Sequence, residues 1–188
     1  MLRRIIRRFD AFLRRQYGVY EFTDNPNELF RLQIARAPHT IKLSGGEVRF
    51  GAPILIAHLW NEHIPPFPTN RPNLQWASRT TRMLIDSYRS VAHELLRDPR
   101  LINVQAIGGN TAIFLPNSGG EKLMRHLGFE IFPYHSRLGR FGAFWENFYA
   151  WWIMWAYNAP SAHRRSIASM SRCEIWMLAG DFLQRYGL

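Results

Sequence analysis

The chain has 188 residues, 47% of them hydrophobic and 20% charged, which is enough apolar material for one compact domain and too little length for two comfortable ones. Its 24 Lys+Arg against 14 Asp+Glu give 24 − 14 = +10, excluding an acidic solvating tail and making a polyanionic surface the natural partner. A single cysteine, Cys173, excludes an intramolecular disulfide framework and a Cys-rich zinc module. The basic excess is almost all arginine, with Lys42 and Lys122 the two exceptions. Arginine suits bidentate contacts to lipid headgroups or nucleic acid, although a GC-rich genome would leave the same bias.

Residues 1–16, MLRRIIRRFDAFLRRQ, place Leu2, Ile5, Ile6, Phe9, Phe12 and Leu13 within an arc of about 120° at helical spacing. Arg3, Arg4, Arg7, Arg8, Arg14 and Arg15 take the other side with Asp10, so the segment carries +6 − 1 = +5. A basic amphipathic helix of this kind meets an anionic membrane surface, each Arg adding about 1 kcal/mol. The alternative is that the stripe packs on the domain's own core. No apolar h-region or Ser-rich composition marks the segment as a signal or transit peptide, so it is expected to stay on the chain.

Residues 17–188 read as a single α/β domain. From Gly18 to Trp60 the period falls to two, predicting strands over 18–23, 30–36, 40–43, 48–50 and 54–60 as an antiparallel meander. After a Pro-rich loop over 64–72, a long amphipathic helix runs from Leu74 to its stop at Asp98-Pro99. Strands are predicted over 101–107 and 111–115, with Gly108-Gly109-Asn110 as a hairpin turn between them. Ser118-Gly-Gly-Glu121 opens a short helix that Gly128 closes, and 129–133 returns as strand. Residues 144–157, FWENFYAWWIMWAY, hold four of the seven Trp residues and are apolar all round, predicting a helix that is buried or faces lipid. Its clean apolar run is half the roughly 20 residues needed to span hydrocarbon, so a transmembrane helix is not expected. A last strand over 173–178 and a short helix over 181–186 complete the chain.

The densest polar cluster is His58-Leu59-Trp60-Asn61-Glu62-His63. Neither HExxH nor its inverted form fits this spacing, so no metal site is expected. On a strand, His58 and Glu62 share a face, where the carboxylate could tune the imidazole for acid/base work. They are the candidate catalytic pair, the alternative being a polar network at a strand end. Asn61, His63, Arg71 and Arg79 are candidate ligand-binding residues, the two arginines toward phosphate.

Residues 49–63, RFGAPILIAHLWNEH, with Gly51, His58 and Asn61, resemble a motif of the YkoP-like bacterial domain family, and the Trp-rich helix and the CEIWMLAGDFLQRYG ending are similar to its C-terminal part. Ala52 and Ala57 replace acidic residues of that motif. The resemblance implies a bacterial setting and carries no activity with it. The order of strands, long helix, strand, short helix closing in His126-Leu127-Gly128-Phe129-Glu130, then strand also resembles the GNAT acetyltransferase fold. That resemblance implies a mixed, largely antiparallel sheet flanked by helices, and acyl-CoA as cofactor. The family's Gln/Arg-x-x-Gly-x-Gly/Ala signature is missing from residues 70–79, leaving a pyrophosphate without its cradle of amides.

The expectation is an α+β domain behind a basic amphipathic helix, cytoplasmic and peripheral to the inner membrane. It would carry a ligand-binding or degenerate acyltransferase domain with its pocket near His58–His63 and Arg71–Arg79. The rivals are a nucleic-acid-binding protein with an Arg-rich surface, and a non-catalytic subunit that meets a protein partner through residues 1–16 or 144–157.

Overall fold

Strands form where apolar side chains alternate, and β1 (Phe30–Arg36) and β4 (Pro53–Leu59) pair antiparallel along their full length, Phe30 opposite Leu59 and Arg36 opposite Pro53. The computed structural model describes residues 2–66, 73–111, 119–134, 139–157 and 172–187, with backbone alone for 2, 3, 140 and 154. Between β1 and β4, β2 (Ile41–Leu43) and β3 (Gly46–Val48) form a separate two-stranded hairpin. With β5 (Ala106–Thr111), β6 (Glu130–Pro133) and β7 (Cys173–Leu178), the main sheet has the order β1-β4-β5-β7-β6. Every neighbouring pair in it is antiparallel except β4 and β5.

Among the described residues, the helices α1 (Leu2–Gln16), α2 (Leu74–Arg97), α3 (Gly119–His126), α4 (Gly139–Tyr157) and α5 (Ala179–Tyr186) flank the sheet. The Asn73 side chain caps α2 by accepting from Trp76 N at 2.7 Å, satisfying one of the amides that a helix start leaves free. Asp98 ends α2 and caps a 3₁₀ turn over Pro99–Leu101. On one face of the sheet α2, α3 and α5 bury Phe30, Leu32, Leu55, Ile107 and Met177 around Tyr88, whose ring lies 5.0 Å from Phe30 and 5.1 Å from Phe129. On the other, the β2–β3 hairpin covers Ile54, Ala106 and Trp176. Helices α1 and α4 pack on each other, Ile6 against Ile153 and Ala156.

The chain is thus an α+β domain with a mixed, mostly antiparallel sheet and flanking helices, as expected. Several local expectations are corrected. Residues 18–23 contribute only the isolated bridge of Tyr20 with Leu32, and the first half is no meander, because β4 returns to β1 over the hairpin. Gly108-Gly109-Asn110 is the middle of β5, not a turn. A Cβ at Gly108 would stand 1.9 Å from the Ile175 carbonyl oxygen and 2.6 Å from the Trp176 ring, so glycine is there to let β7 approach. Residues 101–105 precede the strand, and of the segment 111–115 only Thr111 lies among the described residues. Gly128 follows α3 at φ +94°, the left-handed cap the sequence predicted.

Candidate functional site

Strand β4 stops at Leu59, and residues 61–63 form a turn in which His63 N donates to the Trp60 carbonyl at 2.9 Å. Pro65 and Pro66 follow and bar further strand or helix pairing. Glu62 therefore leaves the strand face it was predicted to share with His58. Instead its two oxygens accept from Arg31 Nη1 and Nη2 at 3.2 and 3.1 Å. Burial is the largest influence on Glu62 and opposes its ionisation, but the Arg31 fork, a backbone hydrogen bond and the Arg14 charge together outweigh it and hold the carboxyl below its usual range. Arg31 is itself buried on β1, pairs Glu21 at 2.9 Å, and lies 4.3 Å from the centre of the Trp60 ring. His63 stacks on Trp60 at 3.9 Å, its Nδ1 2.7 Å from the Glu28 carbonyl oxygen.

His58 points to the side of the sheet that carries Gln33, with its Nε2 2.8 Å from Gln33 Oε1. Burial lowers its pKa to about 4, the Asp10 carboxylate opposing the shift, so the ring is neutral at pH 7. With Nε2–H donating to Gln33, Nδ1 carries the lone pair. The two candidate catalytic residues thus have different partners, and Asn61 sits in the turn beside Glu62. Arg71 lies outside the described residues. Arg31 carries no local signal in the sequence, since its partners stand 10 and 31 positions away.

Two further features lie beside this network. The parallel register of β4 and β5 runs only from Ile54 opposite Ala106 to Ile56 opposite Gly108. Beyond it Ala57–Leu59 stay with β1 and Gly109–Thr111 with β7, so the sheet forks at the carboxyl ends of its one parallel pair. A separate cleft of about 480 Å³ lies between α2 and the turn at Asn25–Glu28. It takes Arg79 from the expected pocket and none of His58–His63.

The third surface is the α1–α4 pair. Asp10 is buried and accepts from the Tyr149 and Tyr157 hydroxyls at 3.0 and 3.1 Å, while Arg14 Nε lies 3.2 Å from it. Arg7 donates to the Ala156 carbonyl at the end of α4 and stacks over Tyr157. The helix is therefore docked by its Ile6–Asp10 edge and not by the centre of its apolar stripe. Ile5, Phe9 and Phe12 remain 51%, 45% and 55% exposed. At helical spacing the centre of these three is turned about 110° from the docked edge. Arg4, Arg8 and Arg15 are exposed beside them. Arg7 and Arg14, expected at a membrane surface, are occupied with the protein itself, and the Arg3 side chain is outside the described set. On α4, Phe141, Phe144 and Trp145 are exposed, while Ile153 and Ala156 are buried against α1.

Comparisons with family models, with curated proteins and with solved structures find no match to this chain. Among the described residues no helix is long and apolar enough to cross a membrane.

Proposed function

We propose that the protein is a peripheral membrane protein that lies on an anionic bacterial membrane through α1 and carries a GNAT-like ligand-binding or degenerate acyltransferase domain on its cytoplasmic side. The observation that supports this most is the exposed Ile5–Phe9–Phe12 stripe with Arg4, Arg8 and Arg15 alongside. A helix docked by one edge has already met its need for an apolar partner, yet three large apolar side chains still face water. Apolar insertion and cationic attraction to anionic headgroups are the two terms that hold an interfacial helix. The exposed Phe144 and Trp145 of α4 suit the same interface, where aromatic rings favour headgroup depth.

The test is sedimentation of the full chain with vesicles of phosphatidylglycerol and phosphatidylcholine. Binding to the anionic vesicles, weakening as salt rises, is expected, with little binding to pure phosphatidylcholine. Phe9→Ser with Phe12→Ser removes most of the exposed stripe at positions that are 45% and 55% exposed, and is expected to weaken binding by about tenfold or more. Equal sedimentation of the double variant would overturn the reading.

The GNAT-like part rests on the sheet order and on the fork between β4 and β5. Calorimetry with acetyl-CoA separates its two versions: saturable binding makes the fork an acyl-CoA site, and undetectable binding rejects the acyltransferase. The nucleic-acid reading gains support only if duplex or single-stranded DNA binds with a steep salt dependence.

A further inference from the structure

Helix α4 carries an apolar row of its own, and its packing against α1 fixes where that row points. Phe141, Trp145, Phe148 and Trp152 follow one another at steps of four, three and four residues, which is one face of a helix. Their rings meet in sequence, with centroids 6.2, 5.8 and 5.9 Å apart, within the range that aromatic pairs favour. Phe141 and Trp145 are exposed, and Phe148 and Trp152 are half-buried. The two helices run in opposite directions: Arg7 reaches the Ala156 carbonyl, whereas Asp10, further along α1, receives the Tyr149 hydroxyl. Viewed from its own N-terminus, each helix carries its apolar row on the same rotational side of its docked edge, about 110° away on α1 and about 80° away on α4. For antiparallel helices, rotations of the same sense bring both rows to one side of the pair. The bonds to the rest of the fold leave from the other side, Arg14 pairing with Glu21 and Asn147 accepting from Arg172 Nε at 2.9 Å. Thus α1 and α4 make one layer, tied to the body of the fold on its inner side and aromatic on its outer side.

We infer that α4 enters the lipid interface beside α1, so that the protein meets the anionic leaflet through a flat two-helix layer with the Trp145 ring at headgroup depth. This deepens the proposed function and rests on it. Glu146 and Asn147, the polar residues in the middle of α4, sit on the inner side of the layer with Arg172, so neither interrupts the outer row. Arg4, Arg8 and Arg15 are exposed on the flank of α1, where headgroup phosphates would meet them as the rings enter the interface. The same arginines disfavour a second copy of the chain on this face, since it would bring two cationic segments together. A Trp ring, apolar with one N–H donor, favours the headgroup region.

Tryptophan fluorescence of the full chain, read with phosphatidylglycerol vesicles whose acyl chains carry bromine, tests it, because bromine quenches rings that reach the lipid. Strong quenching is expected. Trp145→Phe keeps the face apolar, and should lower the quenching while sedimentation with the vesicles stays within about twofold of the original. Phe141→Ser with Trp145→Ser should weaken sedimentation by about tenfold or more. Both side chains are exposed, so the thermal melt should not move; if it does, the Trp145→Phe quenching decides. Unchanged sedimentation of the serine variant with little quenching of the original chain, while Phe9→Ser with Phe12→Ser still abolishes binding, would overturn the inference and leave α1 as the membrane contact. No sedimentation of the original chain with anionic vesicles would reject the reading of α1 and this inference together. A dimer by light scattering that the α4 serine variant converts to a monomer would assign the outer face to a second copy, and overturn the inference as well.

Discussion

His58 is neutral because the fold buries it beside Gln33, and that neutrality has a consequence for stability. Its pKa falls from 6.5 in the unfolded chain to about 4 in the folded one. Above pH 6.5 the ring is neutral in both states and contributes nothing; as pH falls toward 4, the unfolded chain takes the proton first and is favoured. Between pH 7 and pH 5 the cost is about 2 kcal/mol. Urea unfolding at the two pH values should show this loss in the unmodified chain and not in His58→Gln, and an equal loss in both would reject the burial account. Gly108 makes a second residue-scale prediction. Gly108→Ala puts a methyl group into the Ile175 carbonyl and the Trp176 ring, and should lower unfolding free energy by about 3 kcal/mol. Of these residues, the sequence picked out His58 and Glu62 but could not supply Gln33 and Arg31, because partners across a strand pair depend on register, and one sequence does not display register. Glu28 gave no signal at all: a lone Glu beside a turn reads as exposed until α2 is laid over it.

At the scale of elements, capping chemistry was legible and tertiary overrides were not. The limits of α2 follow from Asn73 and Asp98-Pro99, β1 and β7 follow from alternation, and all were predicted within a residue or two. The Gly108-Gly109 pair was misread as a turn because glycine signals both turns and close backbone approach, and only the packing of β7 decides between them. For α1 the amphipathic pattern was correct but the docked face was not its middle. A buried Asp10 with two tyrosine hydroxyls outweighs the apolar centre of the stripe as the point of attachment. Burial first, then the Asp10 carboxylate, holds the Tyr149 hydroxyl above its usual range, as a hydroxyl that donates to an anion should be. Asp10→Ala leaves both hydroxyls without their acceptor and should cost about 2 kcal/mol of local stability. Hydrogen exchange of the α1 amides should then accelerate by about thirtyfold, with α2 unchanged; unaltered exchange in α1 would show that Asp10 does not hold the helix.

For the whole molecule, composition set the expectation of one domain with a cationic surface, and the order of elements indicated an α+β sheet with helices on its faces. The sheet order and the fork between β4 and β5 were beyond reach, since strand neighbours separated by more than 50 residues leave no local trace. The structure divides the molecule's charge and apolar surface between separate surfaces. One helical pair exposes apolar side chains next to arginines, and α2 on the opposite face of the sheet presents two arginines over a buried acid. The central claim is that the first of these surfaces enters a lipid interface. The most direct measurement places an environment-sensitive fluorophore on Phe9→Cys, and on Arg97→Cys at the far end of α2 as a reference, then adds phosphatidylglycerol vesicles. A blue shift at position 9 that is absent at position 97, and absent with phosphatidylcholine alone, is the predicted result. Identical emission at position 9 with and without anionic vesicles would contradict the claim and leave the exposed stripe of α1 to a protein partner.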